Sequence, residues 1–92
     1  MEIEIYLSWG RNQNMLKVEL YIDGYRPEKA VVEEFPRGKI ADFVENFYGN
    51  LELKGIGDIS IHVKNKGVEK KLFQDIEDQI SRKLKPRRMT LN

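Results

Sequence analysis

Three stretches of this chain alternate strictly between apolar and polar residues, and that period of two leaves only sheet-based folds open. In EIEIYLSW, Ile3, Ile5, Leu7 and Trp9 fall on one side and Glu2, Glu4, Tyr6 and Ser8 on the other. MLKVELYI repeats the pattern, with Leu16, Val18, Leu20 and Ile22 inward and Lys17, Glu19 and Tyr21 outward. DISIHVK does so again through Ile59, Ile61 and Val63. Successive side chains of a strand point to opposite faces, so each stretch reads as a strand with one buried and one solvated face. The polar run GRNQN suits a loop between the first two.

Asp23-Gly24 is a hairpin signal, because glycine accepts the positive φ such turns require. The run YRPEKAVVEEF that follows reads as a third strand. A plain two-residue turn would set Val18 opposite Lys29 and Glu19 opposite Glu28, burying a lysine and juxtaposing like charges. A shift of one residue pairs Val18 with Ala30, Leu16 with Val32 and Glu19 with Lys29. The sequence therefore predicts a bulge or three-residue loop at Asp23 to Tyr25. Pro27 has no N–H to give a ladder, which places this strand at the sheet edge.

Ile40, Phe43, Val44 and Phe47 recur at i, i+3, i+4 and i+7, the apolar stripe of an amphipathic helix. Pro36 suits its first turn and Gly49 its C-terminal cap. A second stripe runs through Val68, Leu72, Ile76, Ile80 and Leu84 with Phe73 beside it. Asn65 is placed to cap that helix, and Pro86 to end it at or just before Lys85. The order is β-β-β-α-β-α. Right-handed crossover returns the fourth strand parallel to the first. The expected fold is a two-layer α+β domain with a four-stranded, mostly antiparallel sheet in the order 3-2-1-4. Both helices lie on one face, and the other face meets solvent. Residues 1–86 form this single domain and residues 87–92 a basic C-terminal tail.

The element order over residues 2 to 84 is similar to the first part of the ribonuclease H-like fold. That resemblance implies two metal ions held by carboxylates of the first strand, the first helix and the end of the fourth strand. Glu2 and Glu4 open the first strand, where the family pattern has a central aspartate, and Glu45 lies on the first helix. Asp58 begins the fourth strand instead of ending it, and Lys64 stands near the position expected of a carboxylate. Two-metal chemistry needs converging carboxylates, so a metal-dependent nuclease is the least favoured reading. No metal site and no cofactor are expected.

A chain of 92 residues buries roughly 60–65% of its unfolded surface, leaving little room for an internal active-site cavity. There is no cysteine, so disulfides and thiolate metal sites are excluded, which fits a cytoplasmic setting. The first twenty residues lack the basic start and unbroken apolar core of a signal peptide. No apolar run approaches the 18 or so residues a membrane span requires.

The remaining motifs are short. His62, the only histidine, sits on the polar side of its strand with no nucleophile or carboxylate nominated beside it, so a surface role is expected. Gly55-Ile56-Gly57 precedes a strand and not a helix, which makes it a turn and not a phosphate loop. On the open face, Tyr6 and Tyr21 with Lys17 and Lys64 nearby could stack single-stranded bases, although Glu2, Glu4 and Glu19 share that face. Trp9 followed by GRNQN makes a donor-rich loop.

Charge is uneven along the chain. Residues 1 to 81 carry eleven Lys and Arg against fifteen acids, whereas residues 82 to 92 carry five basic residues and no acid. Arg82, Lys83 and Lys85 suit the negative pole of the second helix, while Arg87 and Arg88 lie beyond Pro86. Concentrated positive charge is the footprint of phosphate contact. The first functional expectation is thus a non-enzymatic binding protein reaching nucleic acid or a nucleoprotein. It would use Arg82, Lys83, Lys85, Arg87 and Arg88, with Lys64, Lys66, Lys70 and Lys71 extending the patch and Tyr6 and Tyr21 on the open face. The alternative is a protein-interaction module, an inhibitor or assembly subunit, using the open sheet face, the Pro27 edge strand or the Trp9 loop.

Overall fold

The computed structural model describes residues 1–12, 14–22, 31–84 and 90–91. In chain order the elements are β1 (Glu2–Trp9), β2 (Met15–Ile22), β3 (Val31–Pro36), α1 (Ile40–Leu53), β4 (Ser60–Asn65), α2 (Lys70–Leu84) and the short β5 (Thr90–Leu91). A 3-10 turn at Arg37–Lys39 leads into α1. The strands join in one sheet, ordered β3-β2-β1-β4-β5. β2 is antiparallel to both β1 and β3, and β4 is parallel to β1. The order 3-2-1-4 expected from the sequence is therefore the observed one. β5 adds a strand parallel to β4, pairing Thr90 with Ser60 and Leu91 with Ile61. It falls within the stretch taken as a tail, and two residues carry no alternation from which to foresee it.

The alternation decides the layers. Ile3, Ile5 and Leu7 of β1, Leu16, Val18 and Leu20 of β2, and Ile61 and Val63 of β4 are all buried in one apolar cluster. The same cluster takes Ile40, Val44, Tyr48 and Leu51 from α1 and Ile76, Ile80 and Leu84 from α2, so both helices cover one face. Burying each such side chain stabilises the fold by about 1.5–3 kcal/mol. The helices are also tied to each other by Lys83 Nζ, 2.7 Å from Asp42 Oδ1. Among the described residues, no helix is long and apolar enough to cross a membrane.

Several local expectations give way to tertiary packing. Gly49 does not end α1, because Tyr48 and Leu51 carry the buried stripe one turn further. The helix closes at Gly55, whose φ of 79° few residues other than glycine adopt. There the Gly55 N–H donates to the Glu52 carbonyl at 2.9 Å and the Ile56 N–H to the Leu51 carbonyl at 3.1 Å, the paired bonds of a Schellman ending. Pro36 closes β3 and stands outside the helix. Asn65 does not cap α2 directly. It ends β4, and its side-chain amide exchanges two 2.8 Å hydrogen bonds with the backbone of Val68. That brace holds the turn before the helix, which starts at Lys70.

The register of β3 is the largest correction. Leu16 faces Phe35, Val18 faces Glu33 and Glu19 faces Val32, three residues away from the expected pairing. An odd shift exchanges the faces, so Val32 is half exposed on the open side and Phe35 turns to the helices. Phe35 stacks on Phe43 with ring centroids 4.6 Å apart. Burying a phenyl ring beside another outweighs burying a valine, and aromatic pairs add about 0.5–1.5 kcal/mol beyond area. The observed register also sets Lys17 opposite Glu34, an opposite-charge pair. β3 is an edge strand, as expected. The Asp23-Gly24 turn, Pro27, Lys29, Ala30, Lys85, Pro86, Arg87 and Arg88 lie outside the described residues.

Trp9 was expected inward and instead stands partly exposed at 37%. It ends β1 and is covered by Arg37, whose guanidinium lies 5.4 Å from the ring centroid. The β1–β2 loop beside it is tight. A Cβ on Gly10 would stand 2.5 Å from Glu34 Oε1 and 2.9 Å from the Met15 carbonyl oxygen, so only glycine fits. Glu34 in turn accepts from the Arg11 backbone N–H at 2.6 Å and pairs with its guanidinium at 3.1 Å.

Candidate interaction surface

The face of the sheet away from the helices is polar but ordered. Two short segments of the same kind, Glu4-Ile5-Tyr6 on β1 and Glu19-Leu20-Tyr21 on β2, place an acid and a tyrosine two residues apart on this side. Antiparallel pairing sets Glu4 opposite Tyr21 and Tyr6 opposite Glu19, a checkerboard of two rings and two carboxylates. The Tyr6 hydroxyl donates to Glu4 Oε2 at 2.9 Å, and the Tyr21 hydroxyl to Glu19 Oε2 at 2.8 Å. The rings meet edge to face, their centroids 5.6 Å apart at 90°, the geometry that aromatic quadrupoles favour.

Lysines surround this centre. Lys66 Nζ lies 3.3 Å from Glu19 Oε1, and Lys17 Nζ 3.9 Å from the same oxygen. Lys64 Nζ lies 3.8 Å from Glu4 Oε1 and 5.8 Å from the Tyr6 ring centroid. Glu19 is the one charged residue counted as buried among those described, at 8% exposure. The Tyr21 hydroxyl and then the Lys66 ammonium hold its carboxyl below the usual glutamate value, against the opposing pull of burial. Tyr6 and Tyr21 shift the other way. Each donates to a carboxylate that an ionised phenolate would repel, so both phenols sit above their ordinary value. Glu4, Tyr6, Glu19, Tyr21 and Lys66 line a shallow depression of about 160 Å³.

The remaining candidates divide by place. His62 Nε2 contacts Glu2 Oε2 on this face, a carboxylate partner that the sequence did not nominate. Lys64 and Lys66 belong to the tyrosine centre, each beside an acid of the chain. Lys83 is held by Asp42, which raises its pKa and lowers that of Asp42 through a shared charged hydrogen bond. Arg82, Lys70 and Lys71 are exposed on α2. The structure thus brings Tyr6, Tyr21, Lys64 and Lys66 together and leaves Arg82 and Lys83 on the helical layer.

The carboxylates named by the ribonuclease H-like resemblance are dispersed. Glu2 meets His62 and Glu4 meets Tyr6, while Glu45 lines a depression on α1 with Asn46, Gly49 and Asn50. The Asp58 carbonyl accepts from the Met1 amino group at 2.8 Å. Among the described residues, no three His, Cys, Asp or Glu side chains gather in a way that could hold a metal ion.

Sequence reasoning missed the central role of Glu19, which it paired with Lys29 and otherwise counted as an acid opposed to phosphate. The signal was present in the repeated Glu-apolar-Tyr spacing, which puts acid and phenol on one face of each strand. It also missed the Trp9–Arg37 contact, because the expected β3 register, three residues off, does not bring Arg37 level with the end of β1. Comparison with known protein families, with curated proteins and with solved structures gave no match.

Proposed function

We propose that this protein is a small interaction module that docks a protein partner on the uncovered face of its sheet. The observation that carries the reading is the edge-on pair Tyr6 and Tyr21, fixed by Glu4 and Glu19 at the middle of that face. Interfaces favour aromatic anchors at their centre and a polar rim around them. Here Lys17, Lys64 and Glu2 supply the rim. Rings whose hydroxyls are already bonded lose little freedom on docking, and preorganisation of this kind lowers the cost of association. A cytoplasmic setting belongs to the same reading, since a cysteine-free chain gains nothing from an oxidising compartment.

The test is a photo-crosslinking residue placed at Ser8 on the open face or at Gln74 on α2, in the cells that make the protein. A discrete adduct from Ser8 that disappears with Tyr21→Ala supports docking at the tyrosines. Equal labelling from both positions counts against it.

A second reading, contact with nucleic acid or a nucleoprotein, rests on the five basic residues and no acids of 82–92. Against it stands the local pairing of Lys64, Lys66 and Lys83 with the chain's own carboxylates. Fluorescence anisotropy with a single-stranded oligonucleotide at several salt concentrations separates the two. A steep salt slope that Arg82→Glu and Arg88→Glu flatten and Tyr6→Ala leaves alone would favour the basic segment.

A further inference from the structure

The two edges of the sheet are closed unequally. β5 covers the start of β4, pairing with Ser60 and Ile61, whereas β3 has β2 as its one strand neighbour among the described residues. The Arg37 N–H donates to the Asn14 carbonyl at 3.3 Å, and the register carries this bonded pair on to Leu16 with Phe35 and Val18 with Glu33. Bonded and non-bonded positions alternate in an antiparallel ladder. The N–H and C=O groups of Val32 and Glu34 therefore point away from the sheet, with no partner among the described residues. Pro36, next in that series, has no N–H and ends the row of donors. On the open side this edge shows Val32, 51% exposed. On the helix side it shows the partly buried Phe35 stacked on Phe43. Beside them is the exposed Glu33, whose carboxylate has no hydrogen bond or ion pair among the described residues.

We propose that β3 receives an extended segment of a protein partner as an added antiparallel strand, with an apolar side chain over Phe35 and a basic one opposite Glu33. A free row of backbone donors and acceptors is the template on which a strand pairs, and Val32 and Glu34 take the hydrogen-bonded positions. Glu33 and Phe35 then fall at non-bonded positions, where facing residues approach most closely, with Cα atoms about 4.5 Å apart. The apolar residue buries the open flank of the phenylalanine pair, and the basic one meets the carboxylate that the chain leaves unpaired. The two stand two positions apart on the incoming strand, the apolar residue first. A second copy of this chain fits worse, because two-fold pairing centred on Glu33 or Glu34 sets that glutamate against itself. The edge is distinct from the tyrosine centre, and an added strand widens the open face by continuing the row of Val32, Glu19 and Tyr6.

The probe is the blocked peptide acetyl-Thr-Val-Thr-Arg-Thr-amide, titrated into the isotope-labelled full chain, with backbone amide shifts and amide hydrogen exchange as readouts. In the free protein, the Val32 and Glu34 amides should exchange faster than those of Glu33 and Phe35, which bond to β2. Peptide at about ten times its Kd should slow Val32 and Glu34 roughly tenfold. Val32→Pro removes one outward donor without touching a β2–β3 bond. It should weaken binding roughly tenfold or more, the scale of one hydrogen bond left unmade, while Val32→Thr should bind like the wild type. A peptide with glutamate in place of arginine should give no saturable shift, and Glu33→Lys should reverse that preference. Spectral dispersion reports that each variant is folded, and Glu33→Lys carries the test if Val32→Pro is not. The proposal is overturned if no saturable shift appears, if Val32→Pro binds as well as the wild type, or if the glutamate peptide binds equally. Protection of Val32 and Glu34 in a self-associated free chain would overturn it too, by giving the edge to a second copy. A Ser8 adduct lost in Tyr21→Ala, with no slowing at Val32, leaves docking at the tyrosines standing and the edge site fallen. Slowing at Val32 without that adduct keeps the edge site and removes the tyrosines from docking.

Discussion

The two faces of this sheet are made by the same strands, residue by residue in alternation, and they are held by different physics. On the helix side, Ile3, Ile5, Leu7, Leu16, Val18 and Ile61 have no exposure at all. On the other side, Tyr6 and Tyr21 keep their neighbours by hydroxyl-to-carboxylate bonds, ring edges and lysine contacts, with water at hand. The apolar face is specified by burial, which is non-directional and tolerates exchange among residues of similar size. The polar face is specified by direction and donor count. Two Glu-apolar-Tyr segments meeting in antiparallel register give a pattern that general solubility does not demand, and this is why function is sought there.

The adjacent residues Ile5 and Tyr6 break or sharpen that contrast most directly. Ile5→Ala opens a cavity among fully buried neighbours and should cost about 2–5 kcal/mol. At about 4–8 °C per kcal/mol for a domain of this size, that is a fall in Tm of roughly 8–40 °C, enough at the upper end to unfold the chain. Tyr6→Ala, one position along, should lower Tm by far less, since its ring loses contacts on an open surface. Thermal unfolding followed by circular dichroism checks both. A loss at Tyr6 equal to that at Ile5 would mean that the open face is itself a structural layer, and docking would lose its motive.

The same contrast explains what was legible in the sequence. Burial imposes period 2 on strands and 3.6 on helices, so Ile3, Ile5 and Leu7 or Ile76, Ile80 and Leu84 announce their elements and even the strand order. Register is less legible, because several pairings satisfy alternation equally. The rejection of Lys29 from the core fixed the wrong face for Val32, as the partner for Phe35 is Phe43, which only the tertiary fold brings near. Ends of elements follow the same logic, with Tyr48 and Leu51 extending α1 past Gly49 for the sake of packing. On the open face, the residue types were readable and their roles were not. Tyr6, Tyr21 and Lys64 were picked out for stacking, but the bonding of each phenol to an acid needs the cross-strand geometry of Glu4 with Tyr21 and Tyr6 with Glu19.

The β3 register offers an intermediate effect, because β3 presents one large side chain to each regime. Phe35 packs against the core and stacks on Phe43, whereas Val32 is 51% exposed. Phe35→Ala should therefore destabilise clearly, though by less than the ~3–5 kcal/mol typical of a fully buried phenylalanine. Val32→Ala should stay within about 0.5 kcal/mol of the parent, as surface substitutions do. Urea midpoints at constant slope measure both. The reverse ranking would put Val32 inside and restore the pairing of Leu16 with Val32 that alternation alone suggested.

The smallest effect separates the faces by pH, because the apolar side does not titrate and the polar side does. Glu19 has a lowered pKa in the folded chain through the Tyr21 hydroxyl and Lys66. Its ionised form is thus favoured by folding, and its contribution is present above the ordinary glutamate value of about 4.3. That contribution fades as pH falls through the lower folded value. Asp42 behaves alike through Lys83, so the acid limb carries two contributions. Tyr21 has a raised value through its bond to Glu19. Its protonated form is the favoured one, so its contribution is full below the ordinary tyrosine value of about 10 and is lost as pH rises through the folded value. Glu19→Gln should accordingly flatten the urea midpoint at both ends of the pH scale, leaving on the acid side the share of Asp42 and on the alkaline side the shares of Tyr6 and Lys83. One substitution altering two windows so far apart is the signature of a coupled phenol and carboxylate. Parallel curves for the two proteins would reduce Glu19 and Tyr21 to neighbours on a wet surface, and the open face would lose the preorganisation on which the docking reading depends.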